Sequence, residues 1–290
     1  MHPAPSVIVF TVLSGLGFGF LALLGMDLLP VTGALAFWVW GAGYALAITG
    51  LVASAFHLGN PHRALLAFTQ WRTSWLSREA WSSVATLLLL APQALSDWLG
   101  LGWPPVIGWY GAGMCLVTIY CTSMIYAQIG AVPRWNHWIT PLTFLTFSVT
   151  GGLLMGGAGV LPALACAMLF FVLVKSWRIG DGLFAARGAT LGTATGLDRI
   201  GQPTVFEQPH TGGNYLMREM IHVVARKHAT KLRRIALVTA AVIPALATLA
   251  LPVAFAVPLA VGSHLVGAFV ARWLFFAQAE HVVGLYYGTR

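Results

Sequence analysis

His57, Arg63 and Glu79 follow one another where two long apolar runs meet, His57 closing the first run and Glu79 opening the second. Ionisable groups at the edge of a membrane are costly to keep and are by default tied to function. Together these three suit proton-coupled electron transfer to a carrier dissolved in the bilayer. Two-electron reduction of a quinone takes up two protons. A histidine can hydrogen-bond a ring carbonyl and titrate near neutral pH, a carboxylate can pass protons from the aqueous side, and an arginine can hold that carboxylate ionised or stabilise negative charge developing on the ring. Trp71 and Trp75 offer flat apolar walls, although tryptophans at this depth also serve as interface anchors. Each residue has a plainer reading as well: Arg63 as a topogenic charge, His57 as a cation favoured at a helix C-terminus, and Glu79 as a first-turn acid in a helix capped by Ser77. The spacing points to this chemistry without naming the carrier.

The elements that must position these residues are helices in a membrane. Of 290 residues only 8% are charged and 58% are hydrophobic, against roughly 25% charged in an average soluble domain. That balance excludes a water-soluble enzyme, a disordered chain and a disulfide-stapled domain. The cysteines Cys115, Cys121 and Cys166 lie inside apolar stretches without the spacing of a zinc or iron-sulfur site, so no metal site is expected on this chain. Apolar runs of spanning length fall at about 6–26, 34–57, 79–97, 106–128, 138–156, 160–178, 233–251 and 257–280. They predict an all-α membrane protein, one domain over 1–290 built as a bundle of eight transmembrane helices. The first run lacks a basic n-region and a cleavage site and is expected to be retained.

The connections carry charge unequally. Those after the first, third, fifth and seventh runs hold Pro30, Pro104, Pro105, Pro252 and Pro258 and no Lys or Arg, whereas of the 16 cations all but Arg272 lie on the other side, in its connections, at the terminus or at the run ends that border it. The positive-inside rule puts that side, and both termini, in the cytoplasm of a bacterial inner membrane. The net charge of +8 is then a topogenic asymmetry facing anionic headgroups, and no nucleic-acid partner is expected.

Two segments on the basic side exceed what a turn needs: 58–78, which carries the site motif, and 179–232. In the second, Leu216, Met220, Val223, Val224 and Leu232 recur near helical period opposite Arg218, Arg226, Lys227 and Lys231, predicting a basic amphipathic helix that lies on headgroups or docks a partner. A secondary cluster, Arg272, Glu280 and His281, closes the last run and is a candidate to face the same cavity as His57. His264 is the one histidine in the outer half of a run and has no second histidine at its depth, so a bis-His haem b there is not expected; one using a pair among His57, His137 and His281 is the alternative. The fourth run is rich in hydroxyls, with Thr118, Thr122, Ser123, Tyr110, Tyr120 and Tyr126, which line a polar path or simply bond back to their own helix.

The stretches HLGNPHRA (57–64), SWLSREA (74–80) and MREMIHVVARKHATKLR (217–233) resemble the DmsC-like membrane anchor subunits of dimethyl sulfoxide reductase and its relatives. The eight-helix plan extends the likeness over the whole chain. The opening MHPAPSVIVFT and the closing ARWLFFAQAEHVVGLYYG resemble the SoeC branch, anchors of cytoplasmic sulfite dehydrogenases. The resemblance implies a three-subunit oxidoreductase, with a molybdopterin catalytic subunit and an iron-sulfur subunit docked on this anchor. It also implies electron exchange with ubiquinone or menaquinone at a site whose His, Arg and Glu are His57, Arg63 and Glu79, and no haem. A sulfite dehydrogenase donating to quinone fits the cytoplasmic placement of the motif loop. The alternatives are the anchor of a dimethyl sulfoxide or polysulfide reductase, a haem b cytochrome anchor, and a transporter. The last is disfavoured because Asp27, Asp97 and His264 are the few titratable groups in the outer half.

Overall fold

Away from water a single segment satisfies its backbone only through its own helical hydrogen bonds, and the apolar runs fold accordingly. The computed structural model describes residues 3–56, 60–207, 212, 214 and 228–287. Among these there is no strand. The long helices are α1 (Pro5–Gly25), α2 (Gly33–Ala55), α3 (Trp75–Leu99), α4 (Val106–Ala127), α5 (Ile139–Gly156) and α6 (Val160–Ala186); after a short α7 (Leu191–Thr195) come α8 (Ala229–Ala250) and α9 (Val253–Ala277). Seven of them are long and apolar enough to cross a membrane. The other is α3, which has the length, at 25 residues, but carries a polar stripe.

Several helix ends differ from the hydropathy reading. α3 starts after Ser74 and not at 79, so Ser77 is a buried residue inside the helix and Glu79 lies beyond its first turn. The first-turn capping reading of Glu79 therefore fails. α6 continues to Ala186, past 178, and Pro258 stands inside α9 and not in the turn before it. Hydropathy marks where apolar side chains stop, whereas a helix runs on until its backbone is capped or broken. His57 lies outside the described residues, as do Arg218, Arg226 and Lys227 of the expected basic helix; Lys231 is exposed in the opening turns of α8.

α1 is the hub of the bundle, packing against α2, α4, α5 and α9. It is apolar on every side, which suits a helix surrounded by others, and small residues let its neighbours close in. A Cβ on Gly19 would fall on the Ser148 carbonyl of α5, and one on Gly25 would come within 2.6 Å of the Gly108 carbonyl of α4.

Two polar residues in the half of the bundle away from the basic loops have structural roles. Asp97 accepts from Trp40 Nε1 at 2.9 Å and from Gln93 Nε2 at 2.8 Å, joining α2 to α3. Pro244 has no N–H, so the Ala240 carbonyl four residues earlier loses its helical donor. There α8 winds as a π-turn over Val238–Val242, and His264 Nδ1 of α9 donates to Ala240 O at 2.9 Å while Ser263 Oγ donates to Thr239 O at 2.7 Å. His264 thus repairs a broken ladder. Asp97→Ala should strip donors Trp40 and Gln93 of their acceptor and cost about 2 kcal/mol; a thermal melt of the detergent-purified chain by tryptophan fluorescence checks it, and an unchanged midpoint would show that the bond contributes nothing.

Candidate functional site at the α3–α4 seam

α3 turns one face to α4, and that face is polar. Glu79, Ser82, Ser83, Thr86 and Gln93 recur at helical spacing and are all buried. From α4, Thr118 and Thr122 meet them. The Glu79 carboxylate, 3% exposed, accepts a hydrogen bond from the Thr122 hydroxyl, and Ser82 Oγ donates to the Glu79 carbonyl at 3.1 Å. Further in, the Thr86 and Thr118 hydroxyls lie 3.0 Å apart. Leu90, fully buried, then interrupts the stripe. Among the described residues no cation pairs with the Glu79 carboxylate, and burying a carboxylate in that state costs several kcal/mol, so the Glu79 position is held against its own solvation preference by the helices around it.

The motif loop is fastened to the start of α3. A 3₁₀ stretch, Pro61–Phe68, is held by Trp81 Nε1 donating to Phe68 O at 2.9 Å, with the two rings edge to face at 5.3 Å. Arg78 donates from Nε to Trp71 O at 3.1 Å and from Nη2 to Arg72 O at 2.7 Å, and its guanidinium lies 4.3 Å from the Trp75 ring centre. Trp75 in turn meets Tyr120 of α4 edge-on at 5.8 Å. Trp75 and Glu79, four residues apart on α3, therefore both contact α4. Trp71 and Arg63 lie on the surface of the loop.

In the sequence Arg78 reads only as a topogenic charge and Thr122 only as one of several hydroxyls. Their roles as loop clamp and carboxylate partner come from pairings across 6 or 7 and 43 residues. The i, i+3, i+4 polar spacing on α3 is the signal that marks the seam.

The secondary candidates gather elsewhere. Arg272 is buried on α9 among Phe144, Phe147 and Phe275, and lines cavities bordered by α1, α5, α6 and α9, none of whose lining residues comes from α3 or α4. Tyr126 of α4 is within electrostatic reach of both Glu79 and Arg272. Beyond α9, the Val283 N–H donates to His281 Nδ1 at 3.0 Å, and Glu280 is within electrostatic reach of Arg134. Burial lowers the pKa of His281 and of His137 below the ordinary histidine value, which favours neutral rings at pH 7. At the same end Arg134 and Arg233 share Asp181 at 2.6 Å, tying the α5-entry loop, α6 and α8 together. Among the described residues no cluster of three or more His, Cys, Asp or Glu is placed to hold a metal ion.

Among known proteins, residues 1–181 match the family model of the DMSO reductase anchor subunit, DmsC. The chain belongs to that family. It is a multi-pass membrane protein of an oxidoreductase anchor type. The DmsC-matching part ends in α6 and so contains the motif loop, the α3–α4 seam and Asp181, while Arg272 lies beyond it. Similarity nonetheless runs further: the chain is 31% identical over 328 aligned positions to a sulfite dehydrogenase subunit of Allochromatium vinosum, covering 99% of each protein. No solved structure matches.

Proposed function

We propose that this DmsC-family chain is the membrane anchor and quinone-reactive subunit of a three-subunit sulfite dehydrogenase, and that its α3 completes a bundle of eight spanning helices. The observation that carries the quinone reading is the buried Glu79 carboxylate on a polar seam, one helix turn from Trp75 and next to the motif loop. In this reading a molybdopterin subunit oxidises sulfite with water to sulfate, releasing two electrons and two protons. The electrons pass through an iron-sulfur subunit docked on the basic face, where Lys231, with Arg218, Arg226 and Lys227, offers positive charge. Quinone, as ubiquinone or menaquinone, is the acceptor and leaves as quinol after taking up two protons.

On this chain His57 hydrogen-bonds one quinone carbonyl, Glu79 receives protons from the basic side and hands them on, and Arg63 stabilises negative charge at the loop. Trp75 walls the ring, with Trp71 at its outer edge. The Thr122 hydroxyl holds the Glu79 carboxylate in place. Support for sulfite as the electron source is the likeness to the Allochromatium protein together with the charge asymmetry, which favours a motif loop and termini facing the cytoplasm. The chain supplies no metal ligands in this scheme and no haem is needed.

The test is purification of the tagged chain from its native membrane, followed by subunit identification, molybdenum and iron analysis, and a sulfite-to-quinone assay. Co-purifying molybdopterin and iron-sulfur subunits with sulfite-dependent quinone reduction is the expected result. A chain that purifies alone and metal-free defeats the proposal. Orientation has its own measurement: Arg63→Cys and Arg199→Cys should both be protected from a membrane-impermeant thiol reagent in intact cells.

A further inference from the structure

Arg272 stands out among the buried groups that the quinone scheme leaves unused. It is 4% exposed in the last two turns of α9, and among the described residues no carboxylate and no hydrogen-bond acceptor partners it. Its guanidinium carbon lies 3.4 Å from the centre of the Phe144 ring, with Phe147 at 5.6 Å and Phe275 at 5.8 Å. Stacking on rings gives an arginine some electrostatic return, but less than the hydration it gives up on burial. It also uses only the face of the guanidinium. The five N–H donors lie in its plane and still need acceptors, and arginine does not escape the problem by losing its proton.

Those donors border open space. A cavity of about 50 Å³ lies between α5, α6 and α9 on the basic side of Arg272, and a smaller one of about 20 Å³ lies beyond it toward His264. One water needs roughly 10–15 Å³ measured in this way, so the larger cavity has room for an ion with water and the smaller for a single water. The charged residues lining the larger cavity are Arg272 and Arg134, and no described carboxylate does so. The remaining polar lining comes from Thr140, Thr143, Ser176, Trp177 and Gln278. The three hydroxyls donate to backbone carbonyls at 2.7–2.8 Å. Arg134 is already paired with Asp181. The cavity thus presents an almost wholly buried cation with no described counter-charge, and a paired one at its edge, with no described carboxylate in its lining.

We propose that the α5–α6–α9 cavity is an anion-binding site, with Arg272 as its principal ligand and a small inorganic anion such as chloride, or the phosphate of an anionic lipid reaching in from the basic side, as its occupant. The bound anion supplies the missing counter-charge and secures α9 to α5 and α6. This site is separate from the α3–α4 seam and stands whether or not that seam binds quinone.

The test uses the full chain purified in detergent, melted in potassium chloride and in potassium gluconate of equal ionic strength, gluconate being too large for the cavity. Chloride should raise the midpoint saturably by about 3 °C or more. Arg272→Met should abolish that dependence, while Arg199→Met, on the exposed surface, should keep it. If chloride has no effect but added phosphatidylglycerol stabilises the wild type and not Arg272→Met, the occupant is a lipid phosphate and the site stands. No response to either anion, or an equal response in Arg272→Met, overturns the proposal. Should Arg272→Met fail to accumulate, radioactive chloride binding to the wild-type chain, with phosphatidylglycerol as competitor, decides: about one competable ion per chain is expected, and no bound chloride in a wild-type chain that phosphatidylglycerol also fails to stabilise rejects the site.

Discussion

Glu79→Gln should lower sulfite-dependent quinone reduction by about 10²-fold or more, the usual worth of a positioned proton-transfer group, while electron transfer from sulfite to a soluble artificial acceptor stays unchanged. Glutamine keeps the volume of the side chain and an oxygen for the Thr122 hydroxyl, so the seam between α3 and α4 remains packed. What it loses is the ability to take and release a proton. The two acceptors separate the possibilities. Loss of both activities would mean that the complex no longer assembles, and full retention of quinone reduction would remove Glu79 from the proton path. Thr122→Val, which leaves the carboxylate in place without its hydroxyl partner, should show a smaller fall of about tenfold, the equivalent of one net hydrogen bond.

A second large effect is expected at a residue with no chemistry at all. Gly19→Ala places a methyl group against the Ser148 backbone of α5, where neither side has a flexible side chain to move aside. The two helices must separate, and because α1 also carries α2, α4 and α9 the strain spreads through the bundle. The cost should reach or exceed the upper end of about 1–3 kcal/mol seen for overpacked cores. Gly41→Ala is the matched control, since nothing lies within 4 Å of a Cβ at that position. Size-exclusion profiles of detergent extracts before and after mild heating should show Gly19→Ala lost or aggregated and Gly41→Ala like wild type. Equal profiles would mean that the α1–α5 contact is looser than its geometry implies.

Much of the architecture was legible because the bilayer imposes a length on apolar runs and forces each to be helical. α1, α2, α4 and α5 fall within a few residues of their expected bounds. α3 and α6 were legible in their apolar parts only. Their polar ends, 75–78 and 179–186, continue the helix in residues whose composition resembles a loop. Inside α3 the same limitation applies in reverse: Ser82, Ser83, Thr86 and Gln93 read as weak apolarity in a linear scan, yet each is buried against a neighbour. Pro258 reads as a helix breaker but stands inside α9, in its second turn, where it removes the one helical donor to the Ala254 carbonyl and the helix still runs on to Ala277.

The sequence by itself determined that this is a helical membrane protein, which connections are basic, and that a His, an Arg and a Glu border one motif loop, because these follow from composition, run length and order along the chain. Family membership was also readable from contiguous motifs. Tertiary structure alone decided which helix is central, that Thr122 holds Glu79 and Arg78 holds the loop, that His264 mends the ladder interrupted by Pro244, and that Arg272 lies in a cavity apart from Glu79. Each of these is a contact between residues far apart in sequence or a matter of which way a helix face is turned. Apart from α3, the membrane helices are apolar nearly all round, so the hydrophobic pattern that orients a helix in water carries almost no rotational information for them; small residues and pairs of buried polar groups set the orientation instead.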